Sequence, residues 1–181
     1  MNVEEQEFLL KLARNAIKAH FEGDKVQVGD VVDNLKKERA TFVTLTINGQ
    51  LRGCIGHLCA VQELYKDVIE NAVFAAFRDS RFPALTEAEF VKVHIEISIL
   101  SKPEEFLFDE TDDLLDKLSH DLGVILSKNG RSATFLPQVW EQIPVKEEFL
   151  THLCMKAGLA GDEWKREVEI KTYTVNCFKE E

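Results

Sequence analysis

The sequence predicts an α+β fold: a compact domain in which helices pack on antiparallel sheet. Two strand-like segments are each interrupted by an Asn-Gly dipeptide, at Asn48-Gly49 and Asn129-Gly130, which is the strongest short-range signal of a β-hairpin. Residues 3–21 and 61–78 instead repeat apolar side chains with the period of an α-helix. Hairpins pair neighbouring strands antiparallel, and the helical segments alternate with them along the chain.

Length and charge limit the classes of protein to which the chain belongs. Its 181 residues are enough for one substantial core and short for two. We therefore predict a single domain over residues 1–181, with room for a small subdomain bordering a cleft. The net charge of −10 excludes the clustered Lys and Arg footprint of a nucleic-acid-binding protein.

The sequence also indicates a cytoplasmic protein that has no membrane partner. No apolar run approaches the ~18 residues that a membrane span requires. The first residues, Met1–Glu5, are unlike a signal peptide. Four cysteines without secretory features are typical of reduced thiols rather than of a disulfide framework.

The first helix is predicted over residues 3–21, with His20 at its C-terminal end, where a cation suits the helix dipole. The second, over 61–78, has the clearest apolar face: Val61, Leu64, Tyr65, Val68, Ile69, Ala72, Val73 and Ala76. Pro83 keeps the residue before it out of helical geometry, so the block around residues 79–83 is predicted to be a turn.

The strand after Asn48-Gly49 reads Leu51-Arg52-Gly53-Cys54-Ile55-Gly56 and is the most informative segment of the chain. Glycine weakens a strand, and it usually marks a bulge or a place where something approaches the backbone closely. Two glycines around a thiol, with an arginine beside it, therefore predict a functional site.

A two-residue turn at Asn48-Gly49 predicts that Leu45 lies opposite Arg52 and Val43 opposite Cys54. Arg52 and Cys54 would then share one face of the sheet, and a nearby cation favours the reactive thiolate. The alternative is a small buried cysteine packed beside Val43, because free cysteine is among the most buried residue types. Both interpretations stay open from the sequence.

A strand is predicted over residues 91–100 by clean alternation. Its apolar face is expected in the core and comprises Val91, Val93, Ile95, Ile97 and Ile99. The reverse face carries Lys92, His94, Glu96 and Ser98. Either this face is simply solvated, or Glu96 or His94 lines a cleft together with the strand that contains Cys54.

Two metal hypotheses fail on spacing. Residues 104–121 contain eight carboxylates and one lysine, Lys117, which suggests a site for a divalent cation. Within this segment, Thr111 is expected to cap a helix that runs through about His120. The alternating ligands of a calcium loop are absent there. A zinc site built on Cys54, His57 and Cys59, completed by His152 or Cys154, lacks the usual structural spacing. We therefore predict no metal ligands and assign no cofactor.

The last third of the chain is predicted to be mainly scaffold. In the second hairpin, Val124 is expected opposite Phe135 and Leu126 opposite Ala133. Pro144 opens a helix that ends at Gly158, with an apolar stripe of Val145, Phe149, Leu150, Leu153, Cys154 and Ala157. Residues 168–178 form a final strand whose apolar phase slips near Thr172-Tyr173, which indicates a bulge or a change of neighbour.

Three blocks resemble the AMMECR-type domain family, protein A of the AmmeMemoRadiSam system. Leu51–Gly56 is similar to the signature hexapeptide of that family, Asp79–Thr86 to its second block and Arg131–Pro137 to its third, in the order of the family. The resemblance runs from the first helix to about residue 178. It implies a compact α+β domain without an established activity, and a link to Memo-like and radical SAM proteins. Glu96 lies in a Glu-Ile-Ser segment similar to microbial members.

The first functional hypothesis is an enzyme with a small anionic or carbonyl-bearing substrate. Cys54 would be its nucleophile or redox thiol. Arg52 would lower the pKa of the thiol or anchor an anion, and Arg81 would be a second anchor. Asp79 or Glu96 would orient a group or move a proton, with Glu96 as the candidate acid or base.

The second hypothesis is a non-catalytic adaptor or ligand-binding protein. Gly53 and Gly56 would let a small ligand or a partner peptide lie against the backbone. Arg52 and Arg81 would pair with its carboxylates or phosphates. A third interpretation of Asp79 and Arg81 is an internal ion pair that holds the turn. The sequence does not decide between enzyme and adaptor.

Overall fold

Five α-helices and two four-stranded antiparallel sheets make up the structure, a computed structural model that describes residues 1–181. The predicted α+β class is confirmed. The chain forms two compact units: the first contains Met1–Lys102 and Asn176–Glu181, and the second contains Pro103–Val175. None of the helices combines the length and apolar composition needed to cross a bilayer.

The helices are α1 (Val3–Glu22), α2 (Leu64–Phe77), α3 (Glu87–Phe90), α4 (Thr111–Lys117) and α5 (Lys146–Lys156). The strands are β1 (Ala40–Ile47), β2 (Gln50–Gly56), β3 (His94–Leu100), β4 (Glu104–Glu105), β5 (Gly123–Lys128), β6 (Arg131–Phe135), β7 (Glu169–Tyr173) and β8 (Val175–Lys179). The first sheet has the order β2-β1-β3-β8 and the second has the order β4-β7-β5-β6.

The first unit packs α1 and α2 on one face of its sheet. Helix α1 begins with a capping box between Asn2 and Glu5 and ends at Gly23, whose φ of 72° is left-handed. The core between helices and sheet includes Leu9, Ile17, Val43, Leu45, Val68, Ala72, Ile95 and Ile97. Strand β2 is the edge of this sheet, and its position on α2 determines the surroundings of the signature hexapeptide.

Two predicted boundaries in the first unit are wrong, and in both cases tertiary structure overrides an apolar pattern. Val61 is 60% exposed, and α2 begins only at Leu64, whose N–H donates to the Lys37 carbonyl. Val91 is 78% exposed rather than in the core. It follows directly after α3, so β3 begins at His94.

The second unit forms its own core around Trp140, Phe149 and Trp164. Its hairpin has the predicted register, with Val124 opposite Phe135 and Leu126 opposite Ala133. Helix α5 carries Cys154 fully buried in its apolar stripe, and the left-handed Gly158 follows its end. These predictions are confirmed, but the predicted start of the helix at Pro144 is wrong: α5 begins at Lys146, and Val145, placed in the apolar stripe, is its N-cap and is 47% exposed.

Helix α4 is shorter than predicted. Thr111 is its first helical residue rather than its cap, which is Glu110, and the helix ends at Lys117 instead of His120. The physical reason is Leu118, which adopts extended backbone and buries its side chain in the core of the unit. The burial of one leucine thus stops a helix that local propensity would extend.

The predicted final strand is two strands that belong to different sheets. β7 pairs with β4 and β5 in the second sheet, and β8 lies beside β3 in the first. The slip of the apolar pattern near Thr172-Tyr173 therefore reflects a change of neighbour, the second of the two predicted explanations. This change brings Cys177 onto the sheet that carries Cys54.

Candidate functional site

The β1–β2 hairpin contains a bulge at Arg52. Asn48 and Gly49 form the predicted two-residue turn with φ values of 51° and 76°. Farther along, the register shifts by one residue, so that Leu45 pairs with Gly53 and Arg52 is the extra residue of β2. The predicted pairing of Leu45 with Arg52 is therefore wrong.

The bulge decides which face of the sheet carries the thiol. Cys54 lies opposite Thr44 rather than opposite Val43, and Ile55 takes the predicted place of Cys54 opposite Val43. Because side chains alternate along a strand, Ile55 points to the helices and Cys54 to the other face of the sheet. The interpretation of Cys54 as a core residue beside Val43 is also wrong.

Arg52 is engaged with α3. Its Nε and Nη2 donate to the two carboxylate oxygens of Glu89 at 2.9 and 3.1 Å, and Nη2 also donates to the Ala84 carbonyl. The bond from Arg52, with those from Thr86, lowers the pKa of Glu89 to about 2. Arg52 is 9% exposed, so its charge is compensated by a partner within the protein.

Asp79 and Arg81 close the free edge of β2 at Cys54. Arg81 donates to both carboxylate oxygens of Asp79, at 2.9 and 2.7 Å. The Cys54 N–H donates to Asp79 at 2.9 Å, and Arg81 donates to the Cys54 carbonyl at 3.3 Å. The bonds from Arg81 are the main cause that lowers the pKa of the buried Asp79. The pair is thus an internal ion pair that replaces a neighbouring strand.

The Cys54 thiol is half-buried, and its sulfur accepts a hydrogen bond from the Thr44 hydroxyl at 3.2 Å. Burial raises the pKa of this thiol, and Asp79 and Glu96 raise it further, whereas Thr44 and Arg81 lower it. The cation that acts on the thiol is therefore Arg81. Because the net shift is upward, the thiol keeps its proton at neutral pH.

A polar row runs across the first sheet on the face opposite the helices, and we define it as Cys54, Thr44, Glu96 and Cys177. Thr44 pairs with Cys54 on one side and with Glu96 on the other, so the Cα atoms of Cys54 and Glu96 are two strand spacings, or about 10 Å, apart. Partial burial and Glu96 raise the pKa of Cys177 to about 11. Glu96 is half-buried within this row, whereas His94 is exposed.

The two glycines of the hexapeptide are explained by close packing within the protein. A Cβ on Gly53 would lie 2.1 Å from the carbonyl oxygen of Ala75 in α2. A Cβ on Gly56 would lie 2.3 Å from the Thr41 carbonyl oxygen and 2.4 Å from the Phe42 ring. The protein's own atoms occupy the space that the sequence hypothesis reserved for a ligand.

A buried carboxylate orients His57 on the helix side of the sheet. Asp67 is fully buried and accepts from the backbone and hydroxyl of Thr41, from Asn71 and from Gln62. His57 Nδ1 lies 2.7 Å from the same carboxylate, and a third of its side chain is exposed. The sequence carried one signal of this network, since the polar Asp67 and Asn71 are four residues apart and adjoin Val68 and Ala72 of the apolar helix face.

His57 and Cys54 do not form a nucleophile–base pair, because His57 is bonded to Asp67 of α2 on the helix side of the sheet and Cys54 points to the other face. His57, Asp67 and Glu70 are the group whose candidate ligand atoms for a metal ion lie within 4.8 Å of one another. The Asp67 oxygens already accept hydrogen bonds from four neighbouring side chains and one backbone N–H. The chemistry of this cluster is therefore better described as an oriented imidazole than as a vacant metal centre.

Comparison with known proteins finds relatives over nearly the whole chain. A family model described as AMMECR1 matches residues 10–178. Protein MK0488 of Methanopyrus kandleri is 36% identical over 100% of this chain and 91% of its own length. Protein Mbar_A1807 of Methanosarcina barkeri is 34% identical over 94% of this chain and 88% of its own. The crystal structure of protein PH0010 from Pyrococcus horikoshii has a TM-score of 0.91 at 32% identity, covering 100% of this chain and 94% of that one.

Proposed function

This chain belongs to the AMMECR1 family, and we propose that it binds a small, neutral, carbonyl-bearing ligand on the polar row, with Cys54 as the reacting thiol. The observation that carries the proposal is the restraint on Cys54. Asp79 and Arg81 bind its N–H and its carbonyl, and Thr44 binds its sulfur. A group held at its backbone and its side chain is positioned before a ligand arrives, which is what a reacting group requires.

The charges around the thiol favour a neutral ligand over an anion. Arg52 is paired with Glu89, and Arg81 is paired with Asp79. Glu96 adds a carboxylate, whose charge raises the pKa of the Cys54 thiol. An anionic ligand would therefore meet a site without excess positive charge.

The raised pKa of Cys54 means that its proton must leave during the reaction. In the proposed step the sulfur forms a bond to the carbonyl carbon, the carbonyl electron pair moves to oxygen, and that oxygen receives the proton that leaves the thiol, so that the product is a hemithioacetal. The Glu96 carboxylate accepts the S–H proton and returns it to the carbonyl oxygen, while the Thr44 hydroxyl donates to the sulfur and stabilises the negative charge that develops on it. Glu96 is the acid or base of this step, and Thr44 lies between it and the thiol.

The test compares two alkylating reagents that differ in charge, iodoacetamide and iodoacetate, with the rate at each cysteine read by mass spectrometry. Cys59 is the exposed control and Cys154 the buried control. We expect the preference for the neutral reagent to be stronger at Cys54 than at Cys59, and its rate to rise only above the free-thiol pKa of ~8.5. A preference for iodoacetate at Cys54 would indicate an anion site, and protection equal to that of Cys154 would exclude thiol chemistry.

The alternative is a non-catalytic adaptor that uses Arg52 and Arg81 as anion anchors, with Memo-like and radical SAM proteins as the partners that the family resemblance implies. The burial of Arg52 against Glu89 leaves Arg81, whose side chain is half exposed, as its principal support. An adaptor would keep its binding to a co-expressed Memo-like protein in Cys54→Ser and lose it in Arg81→Gln. The proposed thiol function predicts the opposite sensitivity, loss of reaction in Cys54→Ser.

A further inference from the structure

A groove of about 860 Å³ lies wholly within the second unit, between two segments of chain. Residues 105–112 form one wall, and residues 165–171 form the other. The polar row belongs to the first unit, so the groove takes no part in the proposed thiol chemistry. Its backbone, charge and apolar surface each indicate what it could bind.

The backbone at one wall of the groove is an unfinished sheet edge. Strand β4 has only two residues, Glu104 and Glu105, and the last bond of this pairing runs from the Phe106 N–H to the Ile170 carbonyl at 2.9 Å. Alternate residues of a strand direct their backbone groups to the same side, so Val168 faces the same way as Ile170. No backbone hydrogen bond involves Val168, so its N–H and carbonyl are the groups that a further strand would use.

The groove carries an excess of negative charge, with six carboxylates against three cations. Its six carboxylates belong to Glu105, Asp109, Glu110, Asp112, Glu167 and Glu169. None of the six takes part in an ion pair. Of the three cations in the lining, Arg166 is paired with Asp162 and Glu163, outside the groove. A ligand with several positive charges would therefore be attracted to this surface.

The groove also offers an apolar anchor. Leu107 is 79% exposed, between the partly buried rings of Phe106 and Phe108. In an added strand, side chains alternate between the two faces, so one set would reach Leu107 while the other faces the carboxylates. The groove thus suits a segment in which basic and apolar residues alternate.

We propose that this groove binds an extended, lysine- or arginine-rich segment of another protein, which adds as a strand beside Val168 at the N-terminal end of β7. The backbone of Val168 supplies the hydrogen bonds of strand addition, Leu107 contacts the apolar side chains, and the carboxylates pair with the cations. This interaction is independent of the polar row and goes beyond the proposed thiol function.

The experiment titrates the isotope-labelled full chain with a short capped peptide of alternating lysine and valine at low salt, followed by amide chemical shifts. We expect the largest shifts at Val168 and Leu107, with affinity that falls as salt rises. A glutamate–valine peptide tests the charge requirement, and a lysine–proline peptide, which cannot form a strand, tests the backbone requirement. Equal binding of the lysine–proline peptide would overturn strand addition.

A pair of matched variants separates the groove from the general acidity of the chain. Asp109→Lys with Glu110→Lys reverses two groove charges, and Glu7→Lys with Asp30→Lys reverses two exposed charges in the first unit. The groove variant is expected to bind the lysine–valine peptide about tenfold more weakly, and the control variant less than about twofold. Equal weakening in both, shifts on another surface, or dimerisation of the free chain through the same edge would overturn the proposal.

Discussion

Gly53 lies where helix α2 leaves no room for a side chain, because a Cβ would meet the Ala75 carbonyl oxygen. A backbone atom cannot move aside as a flexible side chain does. We therefore expect Gly53→Ala to lower the free energy of unfolding by about 2 kcal/mol or more, measured by urea denaturation. Gly29→Ala is the control, since nothing lies within 4 Å of its Cβ position. Equal stability of the two variants would contradict the packing explanation.

The Arg52–Glu89 pair predicts a pH dependence of stability. Because the pKa of Glu89 is lowered to about 2 in the folded chain, its contribution is complete above about pH 4.5 and is lost as the pH falls through about 2. Glu89→Gln should be less stable than the parent at neutral pH and should show a flatter loss of stability over this range. Thermal unfolding at a series of pH values measures the difference, with Glu7→Gln as an exposed carboxylate control. Curves of stability against pH that run parallel for Glu89→Gln and the parent chain would contradict this prediction.

Glu96 links the two thiols of the polar row. Its charge raises the pKa of both Cys54 and Cys177. Glu96→Gln should therefore move the alkylation profiles of both to lower pH and leave that of the buried Cys154 unchanged. Alkylation of the variant over a series of pH values, read by mass spectrometry, measures the shift. If Glu96 accepts the thiol proton in the proposed reaction, Glu96→Gln slows the reaction of Cys54 with its carbonyl ligand. The same variant accelerates the alkylation of Cys54 at a given pH.

For single residues, the sequence predicted the members of the candidate site better than it predicted their contacts. Cys54, Asp79 and Arg81 were selected from composition, spacing and resemblance, and the structure brings these three into direct contact. The predicted partner of Arg52 was wrong because the glycines of β2 indicate a bulge without fixing the residue at which it occurs. The partner that binds Arg52, Glu89, is remote in sequence, and a pattern read along the chain contains no information about such pairs.

Among the elements, α2 and β1 are joined by the buried carboxylate of Asp67. Its removal would leave the Thr41 N–H and several side-chain donors without an acceptor inside the protein. Asp67→Ala is expected to cost about 3 kcal/mol or more in urea denaturation. Glu70→Gln is the control, because it removes charge from the same network at its exposed margin and should cost less than about 1 kcal/mol. A similar loss in both would place the stabilisation elsewhere.

Element boundaries show why the sequence predicts types better than limits. Val61 continues the helical apolar period, yet Glu63 forms an isolated β-bridge with Glu38 and α2 starts three residues after Val61. The slip at Thr172-Tyr173 was informative because a change of sheet changes which face is buried. A pattern reports burial, and burial depends on neighbours that other parts of the chain supply.

In the whole molecule, the second unit is one continuous segment with its own core. We expect a fragment of residues 103–175 to fold alone, since Trp140 stacks on Phe149 and Trp164 is buried within the same segment. Dispersed amide signals and a cooperative melting transition would show this. A disordered fragment would instead support the sequence-based prediction of one domain over residues 1–181.

The return of the chain to the first unit could not be predicted from composition. No Pro- or Gly-rich linker marks residues 102–103 or 175–176. The last six residues nevertheless belong to the first unit, where Glu180 pairs with Arg14 of α1 and accepts from the Ile95 N–H. Long-range contacts of this kind define the units, and they are absent from any local window of sequence.

Side chains of a strand alternate between the two faces of a sheet, and Arg52 is one inserted residue that exchanges the faces of all the residues that follow it in β2. Before the insertion, β2 pairs with β1 in the register that the turn imposes. After it, each side chain points to the face opposite to the one that this register would give. Deleting Arg52 would restore the original register, turn Cys54 towards the helices and place Ile55 among the polar groups. Exchanging Arg52 for another residue would leave the shifted register intact. The face of the sheet on which the thiol lies thus depends on the number of residues between the turn and Cys54, and only secondarily on their identity.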